Sequence, residues 1–143
     1  MPKATLTRKE LLSVLSELSD ELTSRSIETN IYIVCGAAMV MAFDSRKSTR
    51  DIDCRYTPKA IICQIAAMVG ERHNIPAARL NDHAAMFISP VANDPIPIPI
   101  MAKGTVSITA ASAEIMWLYA FKWGLRVLIR GGDGRLGQLT PPV

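Results

Sequence analysis

Leu11, Leu12, Val14, Leu15, Leu18 and Leu22 recur at helical spacing, and Glu17, Asp20, Glu21 and Arg25 fill the opposite side. This pattern predicts a helix over residues 7–25. Thr7 and Glu10 stand three apart at its start, as in a capping box. The run "IYIVC", 31–35, is apolar and β-branched and predicts a buried strand. Gly36 breaks it, and "AAMVMAF" then fits a short buried helix. "DSRKSTR" predicts a polar, basic loop, and "DIDCRY", 51–56, alternates as a second strand does. In "TPKAIICQIAAMVGERHN", a third element, Thr57 suits a cap, Pro58 the first helical position and Gly70 a place near the end.

Further along, "RLNDHAAMF" suggests a short helical turn. "NDPIPIPIMAKG" carries prolines at alternate positions, so it cannot donate regularly to a sheet. An edge strand or extended loop is expected there. "TVSIT" reads as a short strand. Ser112 is placed to cap a last helix, "AEIMWLYAFKWGLRVLIR", and "GGDGRLGQLTPPV", 131–143, reads as a loose tail.

A chain of 143 residues suits one domain, 1–143, with a real core. Its 49% apolar content argues against disorder, and its net charge of +3 makes no strong case for nucleic acid. The longest apolar run, 31–43, is too short to span a bilayer, and "MPKATLTRKE" has no apolar signal core. A cytoplasmic protein with no membrane association is expected. Cys35, Cys54 and Cys63 are odd in number, lie in apolar surroundings and lack ligand spacing. With His73 and His83 the only histidines, both read as surface residues, buried reduced thiols are expected rather than zinc or a disulfide.

The chemistry concentrates in "STRDIDCRY". Asp51 and Asp53 are one residue apart on a strand, so they share a side of it. Two like charges held together repel unless a cation lies between them. The order strand, Gly36, helix, basic loop, D-x-D strand makes a phosphate and Mg2+ site the sharper reading. Arg46, Lys47 and Arg50 lie near enough in sequence to offset phosphate charge. A solvated charged turn is the plainer reading.

"VCGAAMVMAFDSRKSTRDIDCRY" resembles the signature of minimal nucleotidyltransferases, nearest to the AbiEii-like branch of toxin- and defence-associated or uncharacterised members. Gly36 matches the second glycine of that signature. Ala37 and Ala38 match small residues of the branch, and Thr49, Asp51 and Asp53 match its carboxylate motif. "RLND" and the "SAEIMWLYAFK" segment, with Lys122, extend the resemblance over roughly residues 8–128. The resemblance implies an α+β fold, a mixed sheet with helices packed on one side. It implies Mg2+-dependent transfer of a nucleoside monophosphate from a nucleoside triphosphate to a hydroxyl on RNA, protein or a small molecule. Asp51 and Asp53 then become the catalytic, metal-holding pair. Gly36, Ala37, Lys47, Thr49, Arg50 and Lys122 become nucleotide-binding residues.

Three features depart from that pattern. Cys35 replaces the first glycine, the strand "TVSIT" carries no third carboxylate, and the chain turns to "RGGDGRLGQLTPPV" after the last helix. Asp82, Asp94 and Glu114 are the remaining acidic candidates. The alternative is therefore a catalytically degenerate module that acts through a toxin or antitoxin partner. Trp117 and Trp123 read as core or interface and lead to an expectation of homo-oligomers.

Overall fold

A computed structural model describes residues 5–44, 46–76, 80–81, 94–116, 128–130 and 136–138. β1 (Leu6–Thr7) runs directly into α1 (Arg8–Ser24). The capping box is formed. Thr7 N–H donates to Glu10 Oε1 at 3.1 Å, and Glu10 N–H donates to Thr7 Oγ1 at 3.3 Å. The expected apolar stripe is buried except for Leu12, which is half-buried, and Ser19 within it is satisfied by donating to the Leu15 carbonyl at 2.8 Å.

There follow β2 (Thr29–Val34), α2 (Cys35–Met41), β3 (Ser48–Thr49), β4 (Ile52–Arg55), α3 (Lys59–Arg72), β5 (Leu80–Asn81), β6 (Ile98–Lys103) and β7 (Val106–Ala110). A helical turn at 113–116 is capped by Ser112, whose Oγ accepts from Ile115 N–H at 3.4 Å. β8 (Leu128–Arg130) and β9 (Leu136–Gln138) form an antiparallel pair. The fold is α+β around a five-stranded mixed sheet of order β5-β4-β2-β7-β6. β2 is parallel to β7 and antiparallel to β4, so β2 is the axis of the sheet. The proline-bearing β6 lies at its edge, where a missing N–H is tolerated.

The period of two sorts the strands into faces. Ile31, Ile33, Ile52, Cys54, Val106, Ile108 and Ala110 join the stripes of α1 and α3 in one buried cluster. Asn30, Asp53, Arg55, Ser107 and Thr109 alternate with them and are half-buried or exposed. At the α1–α3 surface Arg72 bonds Glu17 at 2.8 Å and Glu21 at 3.1 Å, and His73 also bonds Glu17. The Arg72 bond, then that of His73, holds the Glu17 carboxyl below its ordinary range. His73 is thus part of a helix clamp rather than an ordinary surface residue.

Several expectations are corrected. Thr57 does not cap α3. Pro58 is the N-cap residue and lends no side-chain bond, while the Thr57 carbonyl accepts from Thr29 Oγ1 at 2.8 Å. The "DSRKSTR" loop contains β3, because β1 supplies a pairing partner in the register Leu6↔Thr49 and Thr7↔Ser48. Leu80 and Asn81 of "RLND" are strand, not helical turn, since they pair with Ile52 and Asp53. The last helix does not reach Arg130. Leu128–Arg130 is strand, and it pairs with Leu136–Gln138 of the expected loose tail. Glycines between two short apolar runs are a hairpin signal that outweighs helical spacing here. The rest of 117–127, with Trp117, Lys122 and Trp123, lies outside the described residues.

Candidate functional site

Val34 ends β2 and serves as the N-cap of α2 without a capping side chain. Gly36 follows at the first turn of that helix. Directly across the sheet, Asp53 is the register partner of Val34. The second aspartate of D-x-D therefore stands beside the strand-to-helix turn, as its spacing suggested. Asp51 precedes β4, and both aspartates are half-buried. Ile52 and Cys54, between and after them, are fully buried. Alternation along β4 thus turns Asp53 and Arg55 away from the core.

Gly36 explains why the turn has this composition. A Cβ there would lie 2.5 Å from Thr49 Oγ1 and 2.9 Å from a guanidinium nitrogen of Arg46. Only a residue without a side chain lets the threonine of the S-T-R-D-I-D segment come so near α2. Thr49 is 4% exposed, and its hydroxyl donates to the Asp51 carbonyl at 3.2 Å. It shapes the approach to the aspartates from inside. The β1–β3 ladder holds its backbone in place.

Gly36, Thr49, Arg46 and Asp53 are thus brought together at one end of β2. Ala37 is fully buried, so its side chain belongs to the core and only its backbone is available to a ligand. Lys47 and Arg50 are exposed on the same segment. Arg46, named with Lys47 and Arg50 as one of three basic candidates, is the one packed against Gly36. Its only sequence signal was membership of a basic loop. Lys122 lies outside the described residues.

Asp94 is the acidic candidate whose role the sequence left open. Its Oδ2 accepts from Tyr32 Oη and from Ser112 N–H, each at 2.7 Å, and its Oδ1 accepts from Ile96 N–H at 3.3 Å. Partial burial pushes the Asp94 pKa up, but the Ser112 and Tyr32 bonds, with that of Ile96, outweigh it and leave it below the ordinary value. Burial first, and the neighbouring carboxylate second, drive the Tyr32 phenol well above the tyrosine range. Tyr32 also carries the Arg55 guanidinium over its ring, 5.1 Å from the centroid. A cavity of about 240 Å³ opens beside this pair, lined by Asn30, Tyr32, Arg55, Tyr56 and Thr57. Neither Asp51 nor Asp53 lines it. Cys54 and Cys63 are thiols, and Cys63 Sγ lies 2.8 Å from the Tyr56 hydroxyl.

Among the described residues, no group of three or more His, Cys, Asp or Glu side chains gathers as metal ligands. Mg2+ needs no such group, since one or two carboxylates, water and substrate phosphates complete its octahedron. The hard oxygen donors of Asp51 and Asp53 suit it chemically. No helix of the described residues is long and apolar enough to cross a membrane. Comparison of the chain with protein-family models, curated proteins and solved structures returned no match.

Proposed function

We propose that the chain is a Mg2+-dependent nucleotidyltransferase of the minimal type, with its mixed sheet in the arrangement of that fold. The observation that carries this reading is the register Val34↔Asp53 together with the contact of Gly36 with Thr49 and Arg46. It joins the glycine turn, a basic side chain and the D-x-D strand, which the chemistry requires in one place. The triphosphate lies beside the Gly36 turn, where Arg46 offsets its charge. Lys47 and Arg50 supply further positive charge from the same loop. Asp51 and Asp53 would hold Mg2+, which would supply charge neutralisation for the transfer. The acceptor hydroxyl oxygen forms a bond to the α-phosphorus as the bond to the β-phosphate oxygen breaks. Pyrophosphate leaves and the hydroxyl proton passes to solvent. RNA and protein hydroxyls are both acceptors of the right chemistry.

A second reading has its own support. Asp94, a carboxylate reaching Tyr32, is engaged by three hydrogen bonds in positioning Tyr32 and the 112–116 segment. A protein that keeps the aspartate pair but spends its next carboxylate structurally fits a nucleotide-binding module working with a toxin or antitoxin partner. Binding of a nucleoside triphosphate with and without Mg2+, followed by transfer of an α-labelled nucleotide to RNA or protein, separates the two. Mg2+-dependent binding with transfer is expected. Binding without transfer to any acceptor moves the assignment to the module, and no Mg2+-dependent binding removes both.

A further inference from the structure

The cavity beside Arg55 is separate from the aspartates yet close to them along the sheet. Arg55 and Asp53 are two residues apart on β4 and face the same way, which places their Cα atoms about 7 Å apart. Arg55 is held in advance of any ligand, because its guanidinium lies over the Tyr32 ring. Tyr32 is itself fixed by the bond from its hydroxyl to Asp94. This leaves the ring face to the guanidinium and commits the phenol hydroxyl to Asp94. Asn30 is also committed, its amide donating to Ser107 Oγ at 2.9 Å and accepting from Thr109 Oγ1 at 3.4 Å. Arg55 is therefore the charged group that the cavity presents, and no carboxylate of the described residues lines it. A volume of about 240 Å³ takes one phosphate group and part of a sugar, and is too small for a whole nucleotide in a closed pocket.

We propose that this cavity is an anion subsite that holds a phosphate group of the acceptor, with Arg55 as its ligand and Tyr32 as the positioning residue beneath. The placement as an acceptor subsite rests on the proposed transfer reaction, whereas the binding of phosphate does not. One strand step from the aspartates, a phosphate on Arg55 leaves a hydroxyl of the same molecule within reach of Asp53. A planar, stacked guanidinium suits this task better than an ammonium, since two parallel N–H groups meet two phosphate oxygens. The chemistry is common to a free phosphomonoester and to the phosphate of a nucleotide chain.

The test uses the full chain without Mg2+ or nucleoside triphosphate. Two probes are titrated, a nucleoside 5′-monophosphate and a short single-stranded oligonucleotide. Arg55→Gln is expected to weaken binding about tenfold or more, whereas Arg72→Gln, which removes a cation on the helical side of the sheet, leaves it unchanged. Arg55→Met, which keeps an apolar stem over Tyr32, should show the same loss of binding, and it decides the test if Arg55→Gln folds poorly. Tighter binding of the oligonucleotide identifies a chain phosphate, and tighter binding of the monophosphate a free phosphomonoester. Equal binding by wild type and both Arg55 variants, or no binding of either probe, overturns the subsite. Loss of phosphate binding in Arg55→Gln, with no Mg2+-dependent nucleotide binding by wild type, keeps the subsite and rejects the transfer reaction.

Discussion

The two faces of the sheet are built from the same strands and do different things. On β7, Ile108 is 1% exposed in the core, and its neighbour Thr109 looks out and bonds Asn30. On β4, Ile52 and Cys54 are buried while Asp53 and Arg55 are half-buried. The inner face is uniform in chemistry and tolerates no gap. The outer face mixes carboxylate, guanidinium, phenol and amide within a few strand positions. On β4 and β7, stability is therefore concentrated on one side of the strand and candidate chemistry on the other, whereas β2 is buried on both sides over 31–34.

The largest expected effect comes from moving one residue along β7. Ile108→Ala should lower stability by about 2–5 kcal/mol through a core cavity, and Thr109→Ala by less than about 1 kcal/mol. Denaturant midpoints compare them, and equal losses would deny the division of faces. Gly36→Ala tests the point where the faces meet. Overpacking against Thr49 should cost about 1–3 kcal/mol, because Arg46 can swing aside but the buried threonine cannot. Adding Thr49→Ala removes the hydroxyl in the way, so the double mutant should recover more than about 0.5 kcal/mol relative to additivity. A strictly additive cycle would mean that the close approach does not matter.

Smaller again is the effect of Tyr32→Phe, which removes one bond to Asp94. Since the folded-state pKa of Asp94 is depressed, its contribution to stability is complete above the unfolded value near 4 and fades as pH falls through the lower folded value. Tyr32→Phe should raise that folded value and move the acid-unfolding midpoint to higher pH. Asp94→Asn should remove this part of the pH dependence altogether. Titration followed by circular dichroism checks both. The smallest stability change belongs to Asp51. Asp51→Asn should shift stability by no more than about 0.5 kcal/mol, while both Asp51→Asn and Asp53→Asn should weaken Mg2+-dependent nucleotide binding. A marked loss of thermal midpoint with nucleotide binding intact would make these aspartates structural.

Local pattern made part of this legible. The capping box of Thr7 and Glu10, the stripe of α1 and the alternation in "DIDCRY" are short-range signals; the first two formed as read, and the strand formed over Ile52–Arg55 with Asp51 just before it. The approach of Asp53 to the Gly36 turn also followed from alternation and order. What escaped depends on partners distant in sequence. β1 and β3 are two residues each and exist only because they pair, so neither has a pattern of its own. Tyr32 meets Asp94 across 62 positions, and no spacing rule links them. Arg46 was one of several like residues in a loop. Choosing it over Lys47 and Arg50 required knowing where the loop lay against Gly36.

Thr7 belongs to two elements at once. It pairs with Ser48 in the ladder that leads to the aspartates, and it caps α1. Fraying of the first helical turn and release of the 48–49 segment therefore become a single opening event. Amide hydrogens at Glu10 and at the β1–β3 ladder should then exchange with a common free energy, although they lie in different kinds of structure. Replacing Thr7 by alanine would lower protection at both places together, linking the clock of the N-terminal helix to that of the aspartate loop.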